Sequence, residues 1–427
     1  MTTLREAVHS LTNAKSEEVV PLAWAFLYFF FLLCGYYILR PVRDEMAIEG
    51  GVQHLPWMFT GTFVTLLAVT PLFGYLSARV PRYRLLIVVY LFFAANLVGF
   101  FVVMMSHITP EWTARVFFVW LSVFNLFVVS VFWSFMADLF TPEQGARLFA
   151  VVAAGGSTGA MTGPILTAVL TYLIPVATLM LISAAFLVTC CLCIHQLDCW
   201  AQQHPMAKSK QQGEPIGGSI WAGIRLALTS PYLMGICLYL FCLTTTATFL
   251  YLEQARLVGV QIPSPQARTR LFAIVDLAVN VITFMTQAFV TSRMISALGL
   301  ASALIFLPVV SAIGFSAIGL MPLLLVFILF TVARRVGEYA ISKPAREVLF
   351  TVVSREEKYK AKNFIDTAVS RGGDAATGWI VNGVKAFGAT TTQLALILVP
   401  ITFLWAWLGR SLARQEERQR IERTSGD

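Results

Sequence analysis

The stretch "FTVARRVGEYAISKPAREVLF" (330–350) sets Arg334, Arg335, Glu338, Lys343, Arg346 and Glu347 in an otherwise apolar run. A guanidinium presents a planar fork of N–H donors that grips a carboxylate or phosphate through two hydrogen bonds at once. Steps of seven and four residues put Arg335, Ser342 and Arg346 on one side of a helix. Glu338 follows Arg334 by four residues and Arg335 by three, so it can pair with either but cannot serve both fully. That spacing suits reversible anion binding, with Glu338 as the internal competitor that an arriving anion displaces. Pro344 breaks the backbone ladder beside the charges. Asp366, Arg371 and Asp374 continue the series, with Arg371 and Asp374 spaced to pair at i, i+3. The same residues also fit a plainer role as ion-pair latches between helices.

A second set is polar rather than cationic. Asp276, Asn280, Thr283, Gln287 and Thr291 recur at the spacing of one helix face, while Val279, Ile282, Phe284 and Phe289 occupy the others. An ionisable residue in a spanning helix faces a cavity or pairs with a cation, so Asp276, Asn280 and Gln287 are expected to line a pathway. Hydrogen bonding between helices is the alternative. A third set closes the first apolar run: "LRPVRD" (39–44) carries Arg40, Arg43 and Asp44, followed by Glu45. Arg43 is a candidate for the same anion site, and an ion-pair cluster with Asp44 and Glu45 is the alternative. The run "CCLCIHQLDCWAQQH" (190–204) offers Cys190, Cys191, Cys193, His195, Asp198, Cys199 and His204, but no standard zinc spacing. P-loop and His-Glu-x-x-His motifs are absent from the sequence. The expectation is no catalytic centre, no metal, no cofactor and no enzyme.

Long apolar elements must position these side chains. Of 427 residues, 57% are hydrophobic and 13% charged, with a mean hydropathy of +0.73, against roughly half and a quarter in soluble domains. The composition is that of a multi-pass membrane protein. The net charge of +8 is what basic loops on the inner side of a membrane produce, and no basic, aromatic-interleaved stretch outside the apolar runs could read a nucleic acid. At about 20 residues per span, the expected spans are 21–39, 56–78, 85–106, 114–137, 148–172 and 175–195, then 231–250, 271–292, 300–320, 322–342, 363–386 and 391–408. The first begins after a polar lead and is long enough to span, so it reads as a retained helix rather than a cleaved signal. Arg79, Arg82 and Arg84, with the tail from Arg410 to Arg423, place both termini in the cytoplasm. The seven cysteines lie mostly in apolar runs and read as small buried hydrophobes.

The two halves are related. Shifted by 215 positions, "ARLFAVVAAGGSTGAMTGPI" (146–165) lies over "AKNFIDTAVSRGGDAATGWI" (361–380), with seven of twenty positions identical. The same shift superposes spans 56–78 and 85–106 on those starting at 271 and 300. Two parallel six-helix repeats are the plan of the major facilitator superfamily. "GYLSARVPRYRLL" (74–86) resembles that superfamily's 2–3 loop motif at Gly74, Leu76, Arg79 and Arg82, with Ala78 at the acidic position and Pro81 at the glycine. Gly155, Gly159 and Gly163 at i, i+4, i+8, followed by Pro164, resemble its glycine-rich fifth helix and make a smooth packing face. The expected fold is all-α: twelve transmembrane helices in two pseudo-symmetric bundles, 1–196 and 219–427, joined by a cytoplasmic linker, 197–218.

The segment "KPAREVLFTVVSREEKYKAKNFIDTAVSRGGDAATG" (343–378) resembles the ATP/ADP translocases of plastids and intracellular bacteria. Pro344, Arg346 and Glu347 match, as do Lys362, Ile365 and Asp366, then Arg371, Gly372 and Gly373. "LRPVRD" similarly resembles the end of their first helix. The resemblance implies a secondary transporter, in a bacterial inner membrane, of a small anionic cargo such as a phosphorylated metabolite or nucleotide, moved by exchange. A coupling proton or counter-substrate would be its partner beside the lipid bilayer. The alternatives are a proton-coupled facilitator of a different solute and a membrane protein that keeps the fold without transport.

Overall fold

The computed structural model describes residues 15, 17–203, 226, 229–353, 362 and 364–426. Among them every regular element is helical. The first six expected spans fall on α1 (Val19–Glu49), α2 (Leu55–Arg79), α3 (Arg82–Ser106), α4 (Pro110–Leu139), α5 (Pro142–Leu170) and α6 (Thr178–Gln203). The rest fall on α7 (Pro231–Gln261), α8 (Pro265–Thr286), α9 (Ser292–Leu320), α10 (Leu324–Gly337), α11 (Lys343–Leu349), α12 (Ser370–Ala386) and α13 (Thr391–Gly426). Three π-turns interrupt the second half: Gln287–Thr291 joins α8 to α9, Glu338–Ser342 joins α10 to α11, and Ile365–Val369 leads into α12. Of the expected linker, residues 197–203 continue α6, while 204–218 and His204 lie outside the described residues.

Local chemistry sets the boundaries. Proline, which lacks the N–H that a first turn leaves unused, opens α4, α5, α7 and α8. At α5 the Thr141 hydroxyl accepts from the Gln144 N–H while the Gln144 side chain accepts from the Thr141 N–H, a full capping box. α9 is broken at Gly299 by a φ of +77°, which only glycine adopts without strain and which lets one pass end and the next begin. By length and apolarity nine stretches among the described residues could cross a bilayer, and one of them, Pro265–Leu320, is long enough for two passes. The segments 324–349 and 365–386 are not among them, because charges and π-turns cut their apolar runs short.

Contacts divide the chain into two compact units, one of residues 1–50, 68–215 and 262–277, the other of 51–67, 216–261 and 278–427. In the first, α1 packs on α4, α5 and α6, and α3 on α6. In the second, α7 packs on α10, α12 and α13, and α9 on α13. The pairings repeat under the 215-residue shift, so the sequence repeat is also a repeat of architecture. Within the first unit, α5 lies backbone-close on α1. A methyl group on Gly155 would stand 2.5 Å from the Phe26 carbonyl oxygen and one on Gly163 2.7 Å from that of Cys34, while on Gly159 it would run into the Phe30 carbonyl. Thr167 donates to the Ile38 carbonyl at 3.2 Å and Ser183 to that of Gly35 at 3.1 Å, tying α5 and α6 to α1. Around this seam the filling is aromatic: Phe29 stacks on Phe132 with centroids 4.1 Å apart, and Trp120 on Phe124 at 5.3 Å.

Candidate functional site

In the second unit the charges of α10 point inward because the apolar stripe of that helix is short and ends at them. Arg334 is 3% exposed. It donates to the Glu338 carboxylate at 3.1 Å and to the Leu243 carbonyl on α7 at 2.9 Å. An arginine at a membrane-helix centre costs about 2.5–3.5 kcal/mol on insertion scales, and these partners offset part of that. One turn earlier, Thr331 donates to Gln254 on α7 at 2.7 Å. Arg335 is half-buried beside Arg334. Beyond the π-turn, Ser342 is 3.3 Å from the Tyr239 hydroxyl, which itself donates to the Leu304 carbonyl at 2.9 Å.

Arg346 on α11 faces Asp366 at 3.3 Å, and Lys362 pairs with Glu347. On α12, Arg371 and Asp374 pair at 3.2 Å, three residues apart, while Thr248 on α7 donates to Asp374 at 2.8 Å. The second unit therefore brings together Arg334, Arg335, Glu338, Arg346, Asp366, Arg371 and Asp374 on three neighbouring segments, mostly as cation–carboxylate pairs. In each pair a guanidinium is held by a carboxylate of the same unit.

Arg43 stands elsewhere. It donates to its neighbour Asp44 at 2.7 Å and its guanidinium lies 5.3 Å from the Phe118 ring centroid, both in the first unit. The polar face of α8 is divided too. Asp276, 1% exposed, belongs to the first unit and faces Arg40 at 3.6 Å. Asn280 and Gln287 belong to the second, where the Gln287 amide donates to the Tyr339 carbonyl at 3.1 Å. In the cysteine–histidine run, Cys190 and Cys193 are buried, and His195 lies 3.0 Å from the Tyr83 hydroxyl and 3.7 Å from Cys199.

Sequence reasoning missed three polar clusters. Glu253 on α7, 1% exposed, pairs with Arg256 at 3.2 Å and with Lys385 on α12. The expected span ended at residue 250, although the i, i+3 spacing of Glu253 and Arg256 was a signal that the helix continued. Glu45 faces Arg268 of α8 at 3.5 Å, a pairing across more than 200 residues that no local pattern could give. Glu18, at the start of α1 and outside the span, accepts from Arg147 at 2.9 Å, Gln144 at 3.0 Å and the Lys15 N–H at 2.9 Å. Burial pushes its carboxyl up, but the Lys15 N–H, Arg147 and Gln144 together hold it below the usual carboxylate value.

Residues 25–338 match the sequence model of the Major Facilitator Superfamily. No curated protein matches the sequence. Among solved structures, the POT family transporter PepTSo is similar at 13% identity and a TM-score of 0.67, over 95% of this chain and 99% of that one. The nucleoside transporter NupG is similar at 13% identity and a TM-score of 0.63, over 92% and 99%. A bacterial homologue of the iron transporter ferroportin, in an inward-facing state, gives 12% and 0.63, over 93% and 98%. With the paired architecture and a family match over most of its length, this chain is a multi-pass membrane protein belonging to the major facilitator superfamily of small-solute transporters.

Proposed function

We propose that the cargo is a small anion, phosphorylated or a nucleotide, carried by alternating access across a bacterial inner membrane with both termini in the cytoplasm. One observation carries the reading. Arginines at positions 334, 335, 346 and 371 are gathered in one compact unit, three of them against carboxylates of the same unit. A membrane helix tolerates such pairs at a cost and gains nothing from them as packing. Cargo that competes with Glu338, Asp366 or Asp374 for these guanidiniums would couple its own binding to breaking a protein contact, because it stabilises only the state in which that contact is open. The segment resembling ATP/ADP translocases, 343–378, contains Arg346, Asp366, Arg371 and Asp374, and the fold is shared with NupG, a nucleoside transporter.

The test is thermal stabilisation of the purified protein by a panel of nucleotides, sugar phosphates, carboxylates, inorganic phosphate and neutral solutes of matched size. Phosphorylated ligands should raise the melting temperature, and Arg335→Lys, which keeps charge but loses the fork, should weaken the shift by about tenfold in ligand concentration. Stabilisation by neutral solutes alone would overturn the reading. A proton-coupled facilitator is the second reading, favoured by Asp276, a buried carboxylate with an arginine partner in a spanning helix. If Asp276 is a coupling site, Asp276→Asn should abolish proton-driven accumulation and leave exchange intact.

A further inference from the structure

Three π-turns fall on the segments of the second unit that carry Gln287, Glu338 and Asp366, and the aligned helices α2, α4 and α5 of the first half have none among the described residues. Wide turns of this kind interrupt the helical ladder and gather at functional positions. Two of them touch. The Gln287 amide donates to the Tyr339 carbonyl at 3.1 Å, and the Thr291 hydroxyl donates to that of Ala340 at 2.8 Å.

Backbone bookkeeping explains why these two carbonyls need help. In an α-helix the Tyr339 carbonyl accepts from the Lys343 N–H and that of Ala340 from residue 344. Residue 344 is proline and has no N–H, and its ring crowds the Ala340 carbonyl. In the π register the Lys343 N–H instead reaches back to the Glu338 carbonyl. Tyr339 then looks to residue 344 for its donor and again finds proline. Ala340 lacks its α partner in either case, so Thr291 serves it in both registers. Tyr339 lacks a helical donor only in the π register, and Gln287 supplies one.

We propose that Gln287 is a positioning residue that holds the turn between α10 and α11 in its π register and thereby sets Arg346 against Asp366. Rewinding the turn to α would give Lys343 N–H to Tyr339 and make the Gln287 bond redundant. It would also rotate α11 by about 100°, one residue's worth of helix. Arg346 would leave Asp366, now at 3.3 Å, and Leu349 would lose the bond its carbonyl accepts from Tyr232 at 2.8 Å. α11 is two turns long, so little structure resists the rotation. Gln287 and the charges of α11 are thus geared together: whatever draws Gln287 away releases Arg346. The gearing holds whether the cargo is an anion or a neutral solute, because it rests on backbone carbonyls and the Gln287 amide and not on the cargo.

The experiment measures spin-label distances in the full chain, purified and reconstituted, with Cys191 and Cys199 replaced by serine. One label sits at Lys343→Cys and its partner at Leu298→Cys or at Trp407→Cys, all exposed positions of the second unit. Two reference points keep a rotation from going unseen along one line. Gln287→Leu should add a second distance population, displaced by about 4 Å or more for at least one pair. Gln287→Leu/Pro344→Ala, which restores the missing N–H, should make that population dominant and so define the α register. Thr291→Val, which weakens both registers alike, should leave the parent distances in place. Distances that stay at the parent values in both Gln287 variants, or that only broaden around them, would overturn the proposal, as would a Thr291→Val shift equal to that of Gln287→Leu. If the double variant does not fold, the new population in Gln287→Leu alone decides.

Discussion

The two repeats share an architecture and differ in what they put at equivalent places. Where α5 carries Gly155, Gly159 and Gly163 against α1, the shifted positions in the second repeat are Ser370, Asp374 and Gly378. Where α4 carries Val119, Trp120, Val123 and Val131, the segment from α10 to α11 carries Arg334, Arg335, Glu338 and Arg346. The first repeat is closed by backbone contact and aromatic stacking. The second admits carboxylates and guanidiniums at matching sites and interrupts its helices with π-turns. Since the first repeat builds the same helix pairs with glycine or apolar residues at these positions, the fold does not require these charges. They are retained at a cost in stability, which is the pattern expected of residues that meet cargo.

The largest contrast should come from the glycine seam. Gly159→Val drives a branched side chain into the Phe30 carbonyl, a backbone atom that cannot rotate away. Overpacking typically costs about 1–3 kcal/mol where side chains can shift and more against a fixed backbone atom, so the purified variant should lose monodispersity or melt well below the parent. Its repeat-mate Asp374→Ala should fold, losing only about 1–2 kcal/mol with the Thr248 and Arg371 bonds, and fail in transport. Equal damage to folding in both variants would break the comparison.

Next in size is Glu338→Gln, which leaves the buried Arg334 guanidinium without its carboxylate and should destabilise by about 2–4 kcal/mol. The double change Arg334→Met/Glu338→Leu removes both charges and should recover most of that loss, since the aligned pair Val119 and Val123 is apolar. Melting temperatures of the two variants read this directly, and the recovered double variant should still not transport.

The smallest effect should appear outside the membrane. Glu18 has a carboxyl held below its ordinary value, so its contribution to stability is complete above about pH 4.5 and is lost as pH falls through the lower folded value. Glu18→Gln should cost about 1 kcal/mol at neutral pH. That deficit against the parent should vanish in acid. A deficit that persists unchanged down to the most acidic pH at which the parent stays folded would show that Glu18 acts through packing alone.

Much of the frame was legible in the sequence because lipid imposes it: each expected span falls on a helix, and the 215-residue shift anticipated the repeated helix pairs. The ends were less legible. α1 runs ten residues past Leu39, through Arg40, Arg43, Asp44 and Glu45, because arginines 40 and 268 find buried carboxylates, Asp276 and Glu45, far away in sequence. Hydropathy stops at such charges and cannot see the partner. The i, i+4 pair of Arg334 and Glu338 and the i, i+3 pair of Arg371 and Asp374 could be read from spacing, since a helix fixes them locally. Arg346 with Asp366, and Gln287 with Tyr339, could not, since both depend on π-turns that no periodicity announces.

The central claim, that the charges of the second repeat serve an anionic cargo, is tested most directly by counterflow in reconstituted vesicles. Vesicles loaded with an unlabelled phosphorylated metabolite or nucleotide and diluted into its labelled form should show transient uptake. Matched neutral solutes should show none, and Glu338→Gln and Arg335→Lys should each depress the uptake. Counterflow of neutral solutes at undiminished rates in the Arg335→Lys and Glu338→Gln variants, with none of any anion, would contradict it.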